Sequence, residues 1–245
     1  MSGHSHWSTI KRKKGAADAK KGKIFTKLSR EISASAREGG GDLTSNVRLR
    51  MAVQNAKDNN MPNDNIERAV KRGTGGDGGE SLIEVTYEGY APGGAAVLIQ
   101  ALTDNKNRTV SEVRTLFTHN NGSLAEAGSV IWNFERKGVV VVDDSNFDTE
   151  TLTLKIIDAG AEDFKEEDGI IEVYTSPEDL EQVRFAIEGE GVNITSSEAS
   201  MLPKSTVPVE QKVVKQALRL LEELEDIDDV QQVFTNGDFP QDIEE

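Results

Sequence analysis

Lys11, Arg12, Lys13 and Lys14 form an unbroken cationic block, and Lys20, Lys21, Lys23, Lys27 and Arg30 continue it along the chain. Side chains of this kind neutralise phosphates. Lysine and arginine contacts to a sugar–phosphate backbone release counterions and supply affinity without reading sequence. Trp7, just ahead of the block, offers a π-face on which an unpaired base can stack. If about six of these cations engaged a single strand, log K would fall against log salt with a slope near about −4. The expected contact set for a nucleic acid is Trp7, Lys11, Arg12, Lys13, Lys14, Lys20, Lys21, Lys23, Lys27 and Arg30.

Other chemistries have little to work with. The chain has no cysteine, which excludes disulfides, thiolate metal sites and a cysteine nucleophile. It has three histidines: His4 and His6 beside Trp7, and His119 at the end of an expected helix. A free amine at Ser2 followed by two amides and His4 would suit Cu(II) or Ni(II), but the arrangement is expected to be incidental. No serine sits in a Gly-x-Ser-x-Gly elbow. The carboxylates, Asp143-Asp144 and the run from Glu222 to Asp229 among them, read as solvated charge with apolar residues interleaved at core spacing. The expectation is a protein that is not an enzyme, with no cofactor and no metal.

The distribution of charge supports the cationic reading. The 245 residues carry a net charge of −15. Residues 1–72 nevertheless hold 16 Lys+Arg against 7 Asp+Glu, a balance of +9. Residues 73–245 carry a balance of −24. A basic arm on an acidic body suggests a polyanion partner that the body repels, which orients the molecule upon it. No apolar run approaches the ~20 residues of a membrane helix, and no signal-like apolar core opens the chain. A soluble cytoplasmic protein without a membrane role is expected.

The elements that must position the cations follow from periodicity. Ile24, Leu28, Ile32 and Ala36 recur every four residues, an amphipathic helix that Gly39-Gly40-Gly41 terminates. Lys20, Lys23, Lys27, Arg30 and Arg37 gather on another side of it, so one face can pack while the other presents cations. Glycine disfavours helix interiors, so a start after Gly22 stands as the alternative. Further helices are expected over 44–57, with Val47, Met51 and Val53 inward, and over 65–72, with Asp64 and Glu67 as a capping box. Five glycines within Gly73–Gly79 read as a linker, not a phosphate loop, since no Gly-Lys-Ser/Thr follows. Residues 1–22 are expected to be mobile in the free protein.

Beyond residue 80 the pattern turns to strands at 82–87, 95–102 and 129–134, with a helix capped by Thr109 and Glu112. Then strand 138–142, helix 149–159, strand 161–165, strand 170–175, helix 177–188 and strand 192–199 give the β-α-β-β-α-β order of a ferredoxin-like unit. A helix is expected over 209–224, and a strand over 230–235 is expected to pair back with the 82–134 region. The expected fold is α+β: an N-terminal three-helix domain plus two ferredoxin-like α+β domains, one inserted in the other. The boundaries are 1–78 with the Gly-rich linker, 79–136 with 202–245 as a discontinuous domain, and 137–201 as the insert.

The opening Ser2 to Lys11, with Lys13-Lys14-Gly15-Ala16 and Gly22-Lys23-Ile24-Phe25, resembles the YebC/PmpR family. So do Met61-Pro62, Asn65 to Ala69, Tyr87-Glu88-Gly89-Tyr90 with Pro92-Gly93-Gly94, Thr103-Asp104-Asn105, Asn107-Arg108-Thr109, Gly128-Ser129-Val130 and Asp228 to Gln231. The resemblance runs over essentially the whole chain. It implies a helical N-terminal domain and two α+β domains, one inserted in the other. Bacterial members are usually described as DNA-binding transcriptional regulators and have been linked to ribosomes stalled on proline-rich chains. Mitochondrial relatives are translational activators for cytochrome oxidase subunit I.

Two functions therefore stand as expectations. One is a ribosome-associated translation factor that meets ribosomal RNA through 11–30. The other is a DNA-binding transcriptional regulator. The acidic body and the lack of a base-reading motif lean toward RNA.

Overall fold

The computed structural model describes residues 18–75, 82–143, 149–167 and 169–240. Trp7, Lys11, Arg12, Lys13 and Lys14 lie outside these residues, as do most of the expected glycine linker and, for residues 1–17, the expected mobility. From Asp18 the chain is helical: α1 runs Asp18–Gly39, so Gly22 does not delay it.

Leu28, Ile32 and Ala36 form the packed stripe of α1. They meet Leu49, Ala52, Val53 and Ala56 of α2 (Val47–Asp58) and Ile66 and Ala69 of α3 (Asn63–Gly73). Asn46 joins the first two helices. Its Oδ1 accepts from Leu49 N at 3.0 Å as the N-cap of α2, and its Nδ2 donates to Ser35 O and Gly40 O, both at 2.8 Å. Val47, expected inward, is 52% exposed because α2 starts later than its sequence suggests. The capping box expected at Asp64 is absent: Pro62 occupies the N-cap position of α3 and Asp64 falls in the first turn.

The chain then builds a sheet in the order β3-β1-β2-β9, from β1 (Ile83–Tyr90), β2 (Ala96–Thr103), β3 (Ser123–Ala125) and β9 (Val230–Thr235). β1 is antiparallel to both β2 and β3, and β9 is antiparallel to β2. β2 and β3 are therefore parallel, joined through α4 (Lys106–His119) with β1 lying between them. This is a split βαβ whose middle strand comes from ahead of the motif. Val97, Ile99 and Ala101 of β2 pack with Val113 and Phe117 of α4 and with Leu220, Leu221 and Leu224 of α7 (Gln211–Glu225). Gly89 permits Phe117 to lie on β1, since a Cβ there would stand 2.6 Å from Phe117 Cζ. Short strands β8 (Val207–Pro208) and β10 (Gly237–Asp238) pair in parallel beside this body.

Residues 135–202 form a compact unit of their own, and 1–134 with 203–245 form another. The smaller unit contains β4 (Phe134–Asp143), α5 (Thr149–Asp158), β5 (Ala161–Glu167), β6 (Ile170–Thr175), α6 (Leu180–Gly189) and β7 (Ile194–Pro203). Its sheet order, β5-β6-β4-β7, is that of a ferredoxin-like fold. Val139, Val140, Val141 and Val142 of β4 are all buried, as a central strand covered on both faces requires.

The strand expected over 129–134 is instead a 3₁₀ turn at Ile131–Asn133, with β4 starting at Phe134. The cause is Glu88, 4% exposed on β1. Its carboxylate accepts from the amides of Gly128 at 2.7 Å, Val130 at 2.6 Å and Ile131 at 3.0 Å, which curls the segment around it. Burial alone would raise the Glu88 pKa, but these amide bonds outweigh it and hold the carboxyl below the ordinary range.

Candidate nucleic-acid interface

α1 carries its polar residues in two neighbouring stripes. At about 100° per residue, Lys23, Lys27 and Arg30 share one, and Thr26, Ser29, Ser33 and Arg37 share the next. Lys20 and Lys21 belong to the opening turns, although their side chains are outside the described set.

The first stripe is engaged inside the molecule. Lys23 Nζ lies 3.2 Å from Asp226 Oδ1, and Lys27 Nζ donates to Glu225 O at 2.6 Å. Both acceptors belong to the C-terminal end of α7, where carbonyls lack helical partners and the dipole is negative. An ammonium there satisfies both. Arg30 reaches further in: Nη1 donates to Leu102 O at 3.0 Å and to Asp229 Oδ1 at 2.5 Å. The expected open rail from Lys23 onward is therefore corrected. The three cations do share a face, but each is paired within the protein, Lys23 and Lys27 at the end of α7 and Arg30 at the entry to β9.

Asp229 is the centre of this contact. Its side chain is 2% exposed. Oδ2 accepts from Arg108 Nη2 at 2.7 Å, Thr109 Oγ1 at 2.7 Å and Thr103 Oγ1 at 3.0 Å, while Oδ1 takes Arg30. Burial pushes its pKa upward, and the bonds from Arg108, Thr109, Thr103 and Arg30 more than reverse that, leaving it lowered. Thr109, expected as a helix cap, is fully buried within α4, and Asn105 is the cap, accepting from Arg108 N at 3.1 Å. The sequence reading grouped Asp229 with solvated acids. Its flanking Ile227 and Val230 were the available sign that the chain dives inward there.

The second stripe lines a groove of about 350 Å³ between α1 and α3. Thr26, Ser29, Ser33, Arg30 and Arg37 form one side, with Arg72 from the last turn of α3 opposite. Leu82 and Ala34 complete the lining, and no carboxylate among the described residues contributes to it. The two helices meet tightly because Gly73 has no side chain: a Cβ there would run into Ser33 O. Sequence reasoning missed this groove, because the pairing of Arg72 with α1 depends on the packing of α3.

α2 and α3 are joined by a four-residue turn, Asn59–Pro62, with Asn60 in the left-handed region at φ 58°. A base-reading helix in such a pair presents its N-terminal residues to the groove of a duplex. Here those exposed positions include Asp64 and Glu67, which repel phosphate and oppose that use. Among the described residues, no cluster of three His, Cys, Asp or Glu could hold a metal ion, and no helix is long and apolar enough to cross a membrane.

Comparison with known proteins adds the wider context. A family model described as the TACO1/YebC protein N-terminal domain matches residues 5–76, and one described as the TACO1/YebC second and third domain matches residues 82–237. A protein of Natranaerobius thermophilus named "Probable transcriptional regulatory protein" is 55% identical over 242 residues, covering 98% of this chain and 97% of its own length. A relative of the same designation from Dehalococcoides mccartyi is 52% identical across 100% of this chain and 98% of its own. The crystal structure of a conserved hypothetical protein from Aquifex aeolicus is similar with a TM-score of 0.85 at 45% identity, covering 92% of this chain and 93% of that one.

Proposed function

The chain belongs to the TACO1/YebC family, and we propose that it is a non-enzymatic, nucleic-acid-binding regulator of gene expression that acts in the cytoplasm on ribosomal RNA, as a ribosome-associated translation factor. The observation that carries this reading is the fixed position of α1. Lys23, Lys27 and Arg30 fasten the helix to α7 and Asp229, and the cations assigned to the partner are those that precede them in the sequence, Lys11 to Lys14 with Lys20 and Lys21. They grip phosphates while the acidic remainder is held off the polyanion. Trp7 stacks on an exposed base. The acidic start of α3 favours a partner bound through its backbone over one read in a DNA major groove.

A second reading, a DNA-binding transcriptional regulator, is favoured by the designation that the bacterial relatives carry. Crosslinking in cells separates the two. Recovery of ribosomal RNA, with cosedimentation on ribosomes that is lost when Lys11, Arg12, Lys13 and Lys14 become alanine, supports the translation reading. Recovery of discrete genomic DNA segments, with duplex discrimination that survives physiological salt, supports the other.

A further inference from the structure

We propose that the groove between α1 and α3 is a binding site for the sugar–phosphate backbone of single-stranded RNA. This deepens the nucleic-acid reading above and rests on it, since it adds a second contact region beyond the basic arm. Among the described residues the lining consists of arginines and hydroxyls with two apolar side chains, and none of these is a carboxylate that would repel an anion. Arg72 is exposed and finds no partner among the described residues, so its guanidinium is available to a phosphate. Arg37, also exposed, stands at the far end of the α1 stripe. Arg30 lines the interior but is held by Asp229, so Arg72 supplies the phosphate contact.

The hydroxyls distinguish RNA from DNA. Ser33 Oγ donates to Ala69 O at 2.8 Å and Thr26 Oγ1 donates to Gly22 O at 3.1 Å. With their hydrogens committed, these two oxygens can only accept. A phosphate offers no hydrogen to them, whereas the ribose 2′-hydroxyl does. The groove, about 350 Å³, is near the small end of ligand-pocket volumes, a scale that suits a nucleotide unit and not a duplex.

The test is equilibrium binding of the full-length protein to a 12-nucleotide RNA and to the DNA strand of the same sequence, across a salt series. The variants are Arg72→Ala, Thr26→Val, and the arm variant with Lys11, Arg12, Lys13 and Lys14 changed to alanine. Arg72→Ala is expected to weaken RNA binding and to reduce the salt slope by about 0.7, the value for one lost single-strand phosphate contact. Thr26→Val is expected to weaken RNA binding and leave DNA binding unchanged. Parental affinity and slope in Arg72→Ala, or equal binding of the RNA and DNA strands by the parent, would overturn the assignment. Loss in the arm variant alone leaves the nucleic-acid reading standing without the groove. Parental binding in both the arm and Arg72 variants removes both.

Discussion

Arg30 and Asp229 are separated by 199 residues of sequence, yet the guanidinium meets the carboxylate at 2.5 Å. The pair joins α1 to the entry of β9. Arg108, Thr103 and Thr109 complete the shell, so a helix, the end of β2 and the start of α4 converge on one buried charge. What faces a cation therefore decides its role. Lys23, Lys27 and Arg30 belong to the architecture, whereas the proposed grip on a nucleic acid falls to the arm that precedes them in the sequence.

Removing the carboxylate leaves two arginines and two hydroxyls without their acceptor. Asp229→Ala is expected to lower stability by about 3 kcal/mol, the low end for breaking a buried pair, because Arg108 keeps part of its side chain in water. Urea unfolding at neutral pH measures it. A loss below about 0.5 kcal/mol would show that the network is incidental.

The same residue sets a pH dependence. The folded Asp229 pKa is lowered, so its contribution is complete above the unfolded value of about 3.9 and disappears as pH falls through the folded value. The stability gap between the parent and Asp229→Asn should be constant from about pH 7 to pH 5 and should narrow below about pH 4. A gap that widens on acidification would contradict the lowered pKa.

Glu88 offers a local test. Glu88→Ala frees the amides of Gly128, Val130 and Ile131 and is expected to destabilise by about 2 kcal/mol or more. Hydrogen exchange at those three amides should accelerate more than at Val97 or Ile99 in the neighbouring β2. Unchanged protection there would mean that the 3₁₀ turn holds without the carboxylate.

Much of the fold was readable where pattern and packing agree. β6 and β9 occupy the spans expected for them, 170–175 and 230–235, because an apolar run bounded by turns has few other uses. The failures share a cause. Ser129–Phe134 has strand composition, but a carboxylate forty residues earlier in the chain gathers its amides. Thr109 has the spacing of a cap, but its hydroxyl belongs to Asp229, 120 residues away. At the candidate site, periodicity showed which cations of α1 share a face and could not show that they pair with the end of α7 and with Asp229. The groove needed Arg72 and α1 brought together by packing.

Gly73 ties that packing to the groove. Gly73→Ala would force α3 away from Ser33 and is expected to cost about 1–3 kcal/mol, seen as a lowered Tm. An unaltered Tm would mean that the helices separate without penalty.

The most direct measurement compares single-stranded RNA binding by two variants: Lys11, Arg12, Lys13 and Lys14 to alanine, and Lys23 with Lys27 to alanine. The first is expected to lose roughly two decades of affinity at about 100 mM salt while unfolding like the parent. The second is expected to lose less than about threefold, with its main cost in stability at the α7 contact. If the first variant held RNA as tightly as the parent, or the second lost binding to the same extent, the division between a gripping arm and an anchoring helix would be wrong.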